Sequence, residues 1–92
     1  MNEKRRAAIR YAQTLITQAR TIIEQCAELE EQAFDQLPEA FQAGQRGDTI
    51  QEALSTLQDA QTDLENLEST LSEAFGEPTG REKEPTTLDL GA

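Results

Sequence analysis

The chain has 92 residues, with 18 acidic against 8 basic side chains, a formal net charge of −10, and 36% apolar but only 4% aromatic residues. That length holds one small domain, and the lack of His together with a single Cys excludes His-based nucleophilic catalysis, His-bearing metal sites and an internal disulfide. An acidic field of this size repels nucleic acid and anionic membranes, and no apolar run approaches the ~20 residues of a bilayer span.

The N-terminal residues Met1-Asn2-Glu3-Lys4-Arg5-Arg6 are charged but lead into no apolar h-region, so no signal peptide is expected. One unpaired Cys suits a reducing compartment. Taken together these features predict a cytoplasmic chain with no cofactor, no metal, no membrane contact and no direct contact with nucleic acid.

Proline and glycine divide the sequence. Neither occurs from Met1 to Leu37, nor from Asp48 to Phe75, while Pro38, Gly44 and Gly47 fill the gap. The punctuation predicts an all-α chain: a helix over about 3–36, a connection over 37–48, a helix over about 49–75 and a tail over 77–92. The hairpin domain is 1–76.

The first segment carries a heptad. Ala8, Ala12, Leu15, Ala19, Ile22, Cys26, Leu29 and Ala33 alternate spacings of four and three, which suits a helix packed lengthwise on another. A second column, Ile9, Ile16 and Ile23, runs one residue behind the large members of that stripe. The heptad seam leaves it at an edge, where it either widens the intramolecular stripe or forms an intermolecular face; the favoured reading is the second, self-association into a four-helix homodimer. Along the same segment Glu24, Glu28, Glu31 and Asp35 recur at four, three and four. That spacing suits a Mg²⁺-binding helix face, the remote alternative of a carboxylate–metal nucleotide hydrolase, but in the heptad frame the four point to solvent.

In the connection, Pro38 opens a short helical turn that Gly44 ends, and Phe34, Leu37 and Phe41 cover the closed end of the hairpin. Arg46-Gly47-Asp48 spells an integrin-type tripeptide. Asp48 reads instead as the N-cap of the second helix, with Gln51 as its capping-box partner.

The second segment repeats the heptad. Ile50, Ala53, Leu57, Ala60, Leu64, Leu67, Leu71 and Ala74 alternate three and four, and Gly76 follows as a C′ glycine. An antiparallel fold-back matches size to size in Ala/Leu layers: Ala12 meets Ala74, Ile22 meets Leu64, Cys26 meets Ala60 and Leu29 meets Leu57, with Ala19 against Leu67 the one mixed layer. Cys26 is then a buried, inert thiol.

Charge is segregated along the chain. Lys4, Arg5, Arg6 and Arg10 crowd the first turns and are expected to pair with Glu73 and Glu77, whereas from Gly47 to Gly80 there is no Lys or Arg and eight acidic residues. The acidic side chains free to meet a basic protein surface are Asp59, Asp63 and Glu65 on the second helix with Glu28, Glu31 and Asp35 on the first. Phe41 offers an apolar alternative. The tail, with Pro, Gly, Thr and mixed charge, is expected to be disordered, its one apolar spot being Leu88-Asp89-Leu90.

The connection Ala33-Phe34-Asp35-Gln36-Leu37-Pro38-Glu39, then Gln42, then Arg46-Gly47-Asp48, resembles that of a group of small uncharacterised proteins of bacteriophages and prophages, which carry a similar "AFDNLPE…Q…RGE" run between two charged helices. Similarity extends over roughly residues 3 to 75. Phe41 departs from the Leu of that pattern, and the chain is richer in Ala and Gln. The resemblance implies a phage setting, the cytoplasm of a host cell, and no catalytic residue. The function expected is a non-enzymatic interaction module that inhibits a host or bacterial defence protein. A self-assembling scaffold is the alternative.

Overall fold

The computed structural model describes residues 2–86 and 90. Three helices follow the punctuation: α1 (Glu3–Asp35), α2 (Glu39–Gln42) and α3 (Gln45–Phe75). Helices α1 and α3 pack antiparallel as a hairpin, joined through α2. Asn2 caps α1, its Oδ1 accepting the Arg5 N–H at 2.8 Å, which satisfies one of the donors a helix start leaves free. At the far end of α3, Gly76 adopts φ 79° and donates its N–H to Ser72 O at 2.9 Å, the expected C′ geometry.

One compact unit comprises Met1–Ala19 with Leu64–Ala92, the other Arg20–Asp63. In the first, Arg10 Nε donates to Phe75 O at 3.4 Å and Gln13 Nε2 to Gly76 O at 3.0 Å. In the second, Gln61 Nε2 donates to Glu24 Oε1 at 3.3 Å, and the same carboxylate pairs with Arg20. These partners lie within a turn of the expected fold-back, so the axial register read from the heptads holds.

The rotation of α1 about its axis does not. Leu15, Ile22 and Leu29, expected in the seam, are 45%, 59% and 63% exposed. Ala12 and Cys26 are exposed beside them, so the thiol is not the buried one expected. A second four-three repeat one residue later, Ile9, Gln13, Ile16, Arg20, Ile23, Ala27, Glu30 and Phe34, is half-buried or buried at every position, whereas of the expected repeat only Ala8, Ala19 and Ala33 are half-buried. The isoleucine column, expected at a self-association edge, therefore lies on the α1 face that holds Gln13 and turns toward α3.

On α3 the large positions Ile50, Leu57, Leu64 and Leu71 stay in the seam, but their companions are Leu54, Gln61, Glu68 and Phe75. Ala53, Leu67 and Ala74 are exposed. Two helices bury little, and among the described residues the fully protected ones are Gln13, Ala27 and Gly47. In so shallow a seam a long polar side chain packs its stem and bonds its head group, so Gln13, Arg20 and Gln61 are tolerated where a heptad reading admits only apolar residues.

The connection is built tightly. Helix α2 begins after Pro38 and is followed by a bend in which Gly44 N–H donates to Phe41 O at 3.2 Å. Gln42 Nε2 reaches back to Phe34 O and Leu37 O, 3.1 Å each, and satisfies carbonyls left free where α1 ends. Helix α3 starts at Gln45, four residues before the expected start, so Asp48 lies inside its first turn and is not its N-cap. Gly47 is buried against the Gln42 backbone, where a Cβ would stand 2.0 Å from Gln42 O. The Arg46-Gly47-Asp48 tripeptide is thus a helical packing element, with its glycine inaccessible.

Glu77–Thr86 carry no helix or strand. The Glu82 carboxylate nonetheless accepts Thr79 N–H at 2.8 Å, Thr79 Oγ1 at 2.9 Å and Gly80 N–H at 2.9 Å. Further on, Leu90 O accepts Arg5 Nε at 2.8 Å, and Leu90 borders Ala8, Ile9 and Ala12 of α1. Leu88 and Asp89 of the apolar tail motif lie outside the described residues.

Candidate functional site

The six carboxylates singled out in the sequence are all exposed. Within the second unit, Glu28, Glu31 and Asp35 recur at three and four on one side of α1, and Asp59 and Asp63 stand one turn apart on α3. Glu65 belongs to the first unit. Among the described residues no group of three or more His, Cys, Asp or Glu converges in a way that could hold a metal ion. The Glu24, Glu28, Glu31, Asp35 row is drawn apart further because Glu24 is held by Arg20 and Gln61.

Two cations of the first turns, Arg5 and Arg10, act on carbonyls. Arg10 reaches Phe75 O at the C-terminal end of α3, where the helix dipole favours a positive charge, and Arg5 reaches Leu90 O in the tail. Of the titratable groups Glu82 is clearly shifted: the Thr79 N–H, with the Thr79 hydroxyl and the Gly80 N–H, holds its carboxyl down at about 2, against an ordinary 4.5.

Phe41 is 51% exposed and borders an open groove with Gln45, Arg46, Thr49 and Ile50. Phe34 and Leu37 are half-buried, so the connection covers itself with two of its three apolar side chains and presents the third.

Among the described residues, the exposed large apolar side chains of α1 are ones that the heptad spacing puts inside. Leu15, Ile22 and Leu29 form a column on α1, and Leu67 on α3 is 48% exposed. Beside the column runs a second, Ala12, Ala19, Cys26 and Ala33, and on its other flank a third, Tyr11, Gln18, Gln25 and Gln32. Lys4 and Arg5 head the two flanking columns in the first turn, and beyond them no charged residue occupies these columns, in a chain of which 28% is charged. The signal that could have found this face is that neutrality: beyond the first turn, the charged residues of α1 fall on its other sides.

Among the described residues, no helix is long and apolar enough to cross a membrane. Comparison with known proteins returned no matching family model, no matching curated protein and no matching solved structure.

Proposed function

We propose that this chain is a non-enzymatic protein-interaction module that binds through the outer face of α1. The observation that carries the reading is the exposed column Leu15, Ile22 and Leu29, set among uncharged neighbours. Small proteins rarely leave such a contiguous apolar stripe to water unless it is an interaction surface, and a helix presenting anchors every seven residues is suited to another helix or to a groove.

The test is capture from bacterial lysate by the full chain against Ile22→Glu and Leu29→Glu, with helical circular dichroism as the fold control. Both variants should retain the helices and lose the captured protein. Undiminished capture by both would remove α1 as the binding face.

A second reading has its own support in the six exposed carboxylates and the cation-free stretch from Gly47 to Gly80. In it the acidic surface docks on a basic surface of a host or defence protein and inhibits it, in the phage setting that the connection motif suggests. Its binding weakens steeply above ~0.15 M salt, where the Debye length is about 8 Å. Reversing Asp59 and Asp63 to Lys should abolish it with the helices intact. Salt-insensitive binding that survives the reversal and is lost with Phe41→Ala would move the site to the connection.

A further inference from the structure

We infer that the occupant of the α1 face is a second copy of this chain, bound antiparallel across a two-fold axis at Ile22. The inference rests on the interaction-module reading and names its partner. It stands on the charge, the size pattern and the extent of the face.

Two copies each carrying −10 repel, and they can approach closely only where neither presents charge. On α1 that is the face of Leu15, Ile22 and Leu29, flanked by Gln18 and Gln25, because Glu24, Glu28 and Glu31 lie on other sides of the helix. The outer side of α3 is closed to a like partner, since Glu52, Asp59, Asp63 and Glu73 are exposed there.

A two-fold contact must be self-complementary. Turning α1 end for end about Ile22 sets Leu15 on Leu29 of the other copy, Ile22 on Ile22, and Ala19 on Cys26. Large side chains meet large and small meet small along the whole contact. A parallel pairing loses the two-fold that closes the dimer unless it stays in strict register, and it stacks each acidic helix end on its own copy. The N-terminal end of the face is shared with the tail, Leu90 O accepting from Arg5 and Leu90 lining an open cleft with Ala8, Ile9 and Ala12, so the contact runs from Leu15 to Leu29.

That length sets the strength. Fourteen residues of helix span ~21 Å, on a cylinder about 10 Å across. Such a strip buries well under the ~800 Å² per partner of a standard stable interface, so the dimer is reversible, with dissociation in the micromolar range or weaker.

Sedimentation equilibrium on the full chain tests this from low micromolar to millimolar concentration. The mass should pass from one chain to two as concentration rises, and Ile22→Glu, with its helical signal unchanged, should remain one chain throughout. Geometry is tested by oxidation in a Cys26→Ser background. Ile22→Cys should cross-link to itself, because a residue on the axis meets its own copy within disulfide reach. Leu15→Cys alone should not, its two copies standing ~21 Å apart along the axis, whereas Leu15→Cys mixed with Leu29→Cys should. A single-chain mass at every concentration, or self-linkage at Leu15→Cys as efficient as at Ile22→Cys, overturns the inference. If the mass stays that of one chain while Ile22→Glu still abolishes capture of another protein, the interaction reading stands and only the second copy is removed. If Ile22→Glu changes neither, both are removed.

Discussion

Replacing Gly47 with alanine should destabilise the fold by an amount that the local geometry sets. Helix interiors ordinarily gain up to about 1 kcal/mol from Gly→Ala, because glycine loses more backbone freedom on folding. Gly47 lies in the first turn of α3 with no positive φ, so that gain applies in principle. Against it, the new Cβ would stand 2.0 Å from Gln42 O, 2.6 Å from Gln42 C and 2.9 Å from Gln42 Cα. All three are backbone atoms, so no rotamer change relieves the clash and the α2–α3 bend must open by more than 1 Å. Overpacking of this kind costs ~3 kcal/mol. Opening the bend also pulls Gln42 from Phe34 O and Leu37 O, two bonds of about 1 kcal/mol each. The net loss is on the order of 4 kcal/mol, which for a domain this small lowers Tm by roughly 16–32 °C. Thermal circular dichroism of Gly47→Ala reads it directly. Gly44→Ala is the internal control: its Cβ would meet Ala40 O at 3.6 Å and Phe41 O at 3.7 Å, ordinary contact, so its Tm should hold or rise. A Gly47→Ala protein as stable as its parent would refute the close approach and the tight connection built on it.

Gln13, 2% exposed, donates to Gly76 O while its Oε1 is buried without a partner. Because a buried unpaired acceptor costs ~1–3 kcal/mol, Gln13→Met should match or exceed the parent in urea denaturation while Gln13→Ala, which leaves a cavity, falls below it by ~2 kcal/mol. Glu82 should titrate near 2 by carboxyl-carbon NMR. As a group held below its ordinary 4.5, it orders the Thr79–Glu82 turn fully above that pH, and the order is lost as pH falls toward 2. Modification of Cys26 by a thiol reagent should be rapid in native dilute protein, because the side chain is exposed, and should slow as concentration rises and the second copy covers it.

Much of this fold was legible in the chain because its signals are local. Pro38, Gly44 and Gly76 punctuate the helices through backbone geometry that no packing overrides, and the α1–α3 axial register follows from helix lengths set by those breaks. The rotation of α1 was not legible from apolar spacing, since two four-three repeats run along the helix one residue apart. The repeat ending in Leu15, Ile22 and Leu29 is the more apolar, whereas the one that packs includes Gln13 and Arg20. Polar pairing across the seam accompanies the packed repeat, Gln13 with Gly76 and Glu24 beside it with Gln61, a non-local property that hydrophobic periodicity does not register. The same error hid the candidate surface, by placing its residues in the core and the isoleucines outside. The structure gives the connection motif a physical role: Gln42 and Gly47 lock one bend, which accounts for their occurrence without a binding function.

The facing of α1 is tested most directly by paired truncations measured in urea at a concentration low enough to hold single chains. Ile16→Ala and Ile23→Ala remove packing from the seam and should each cost about 2 kcal/mol, at the low end for buried isoleucine because the seam is shallow. Leu15→Ala and Ile22→Ala remove side chains that are 45% and 59% exposed and should each cost well under half as much. The reverse ranking, with Leu15 and Ile22 the costly pair, would put those residues in the seam and leave the outer face of α1 without its apolar column.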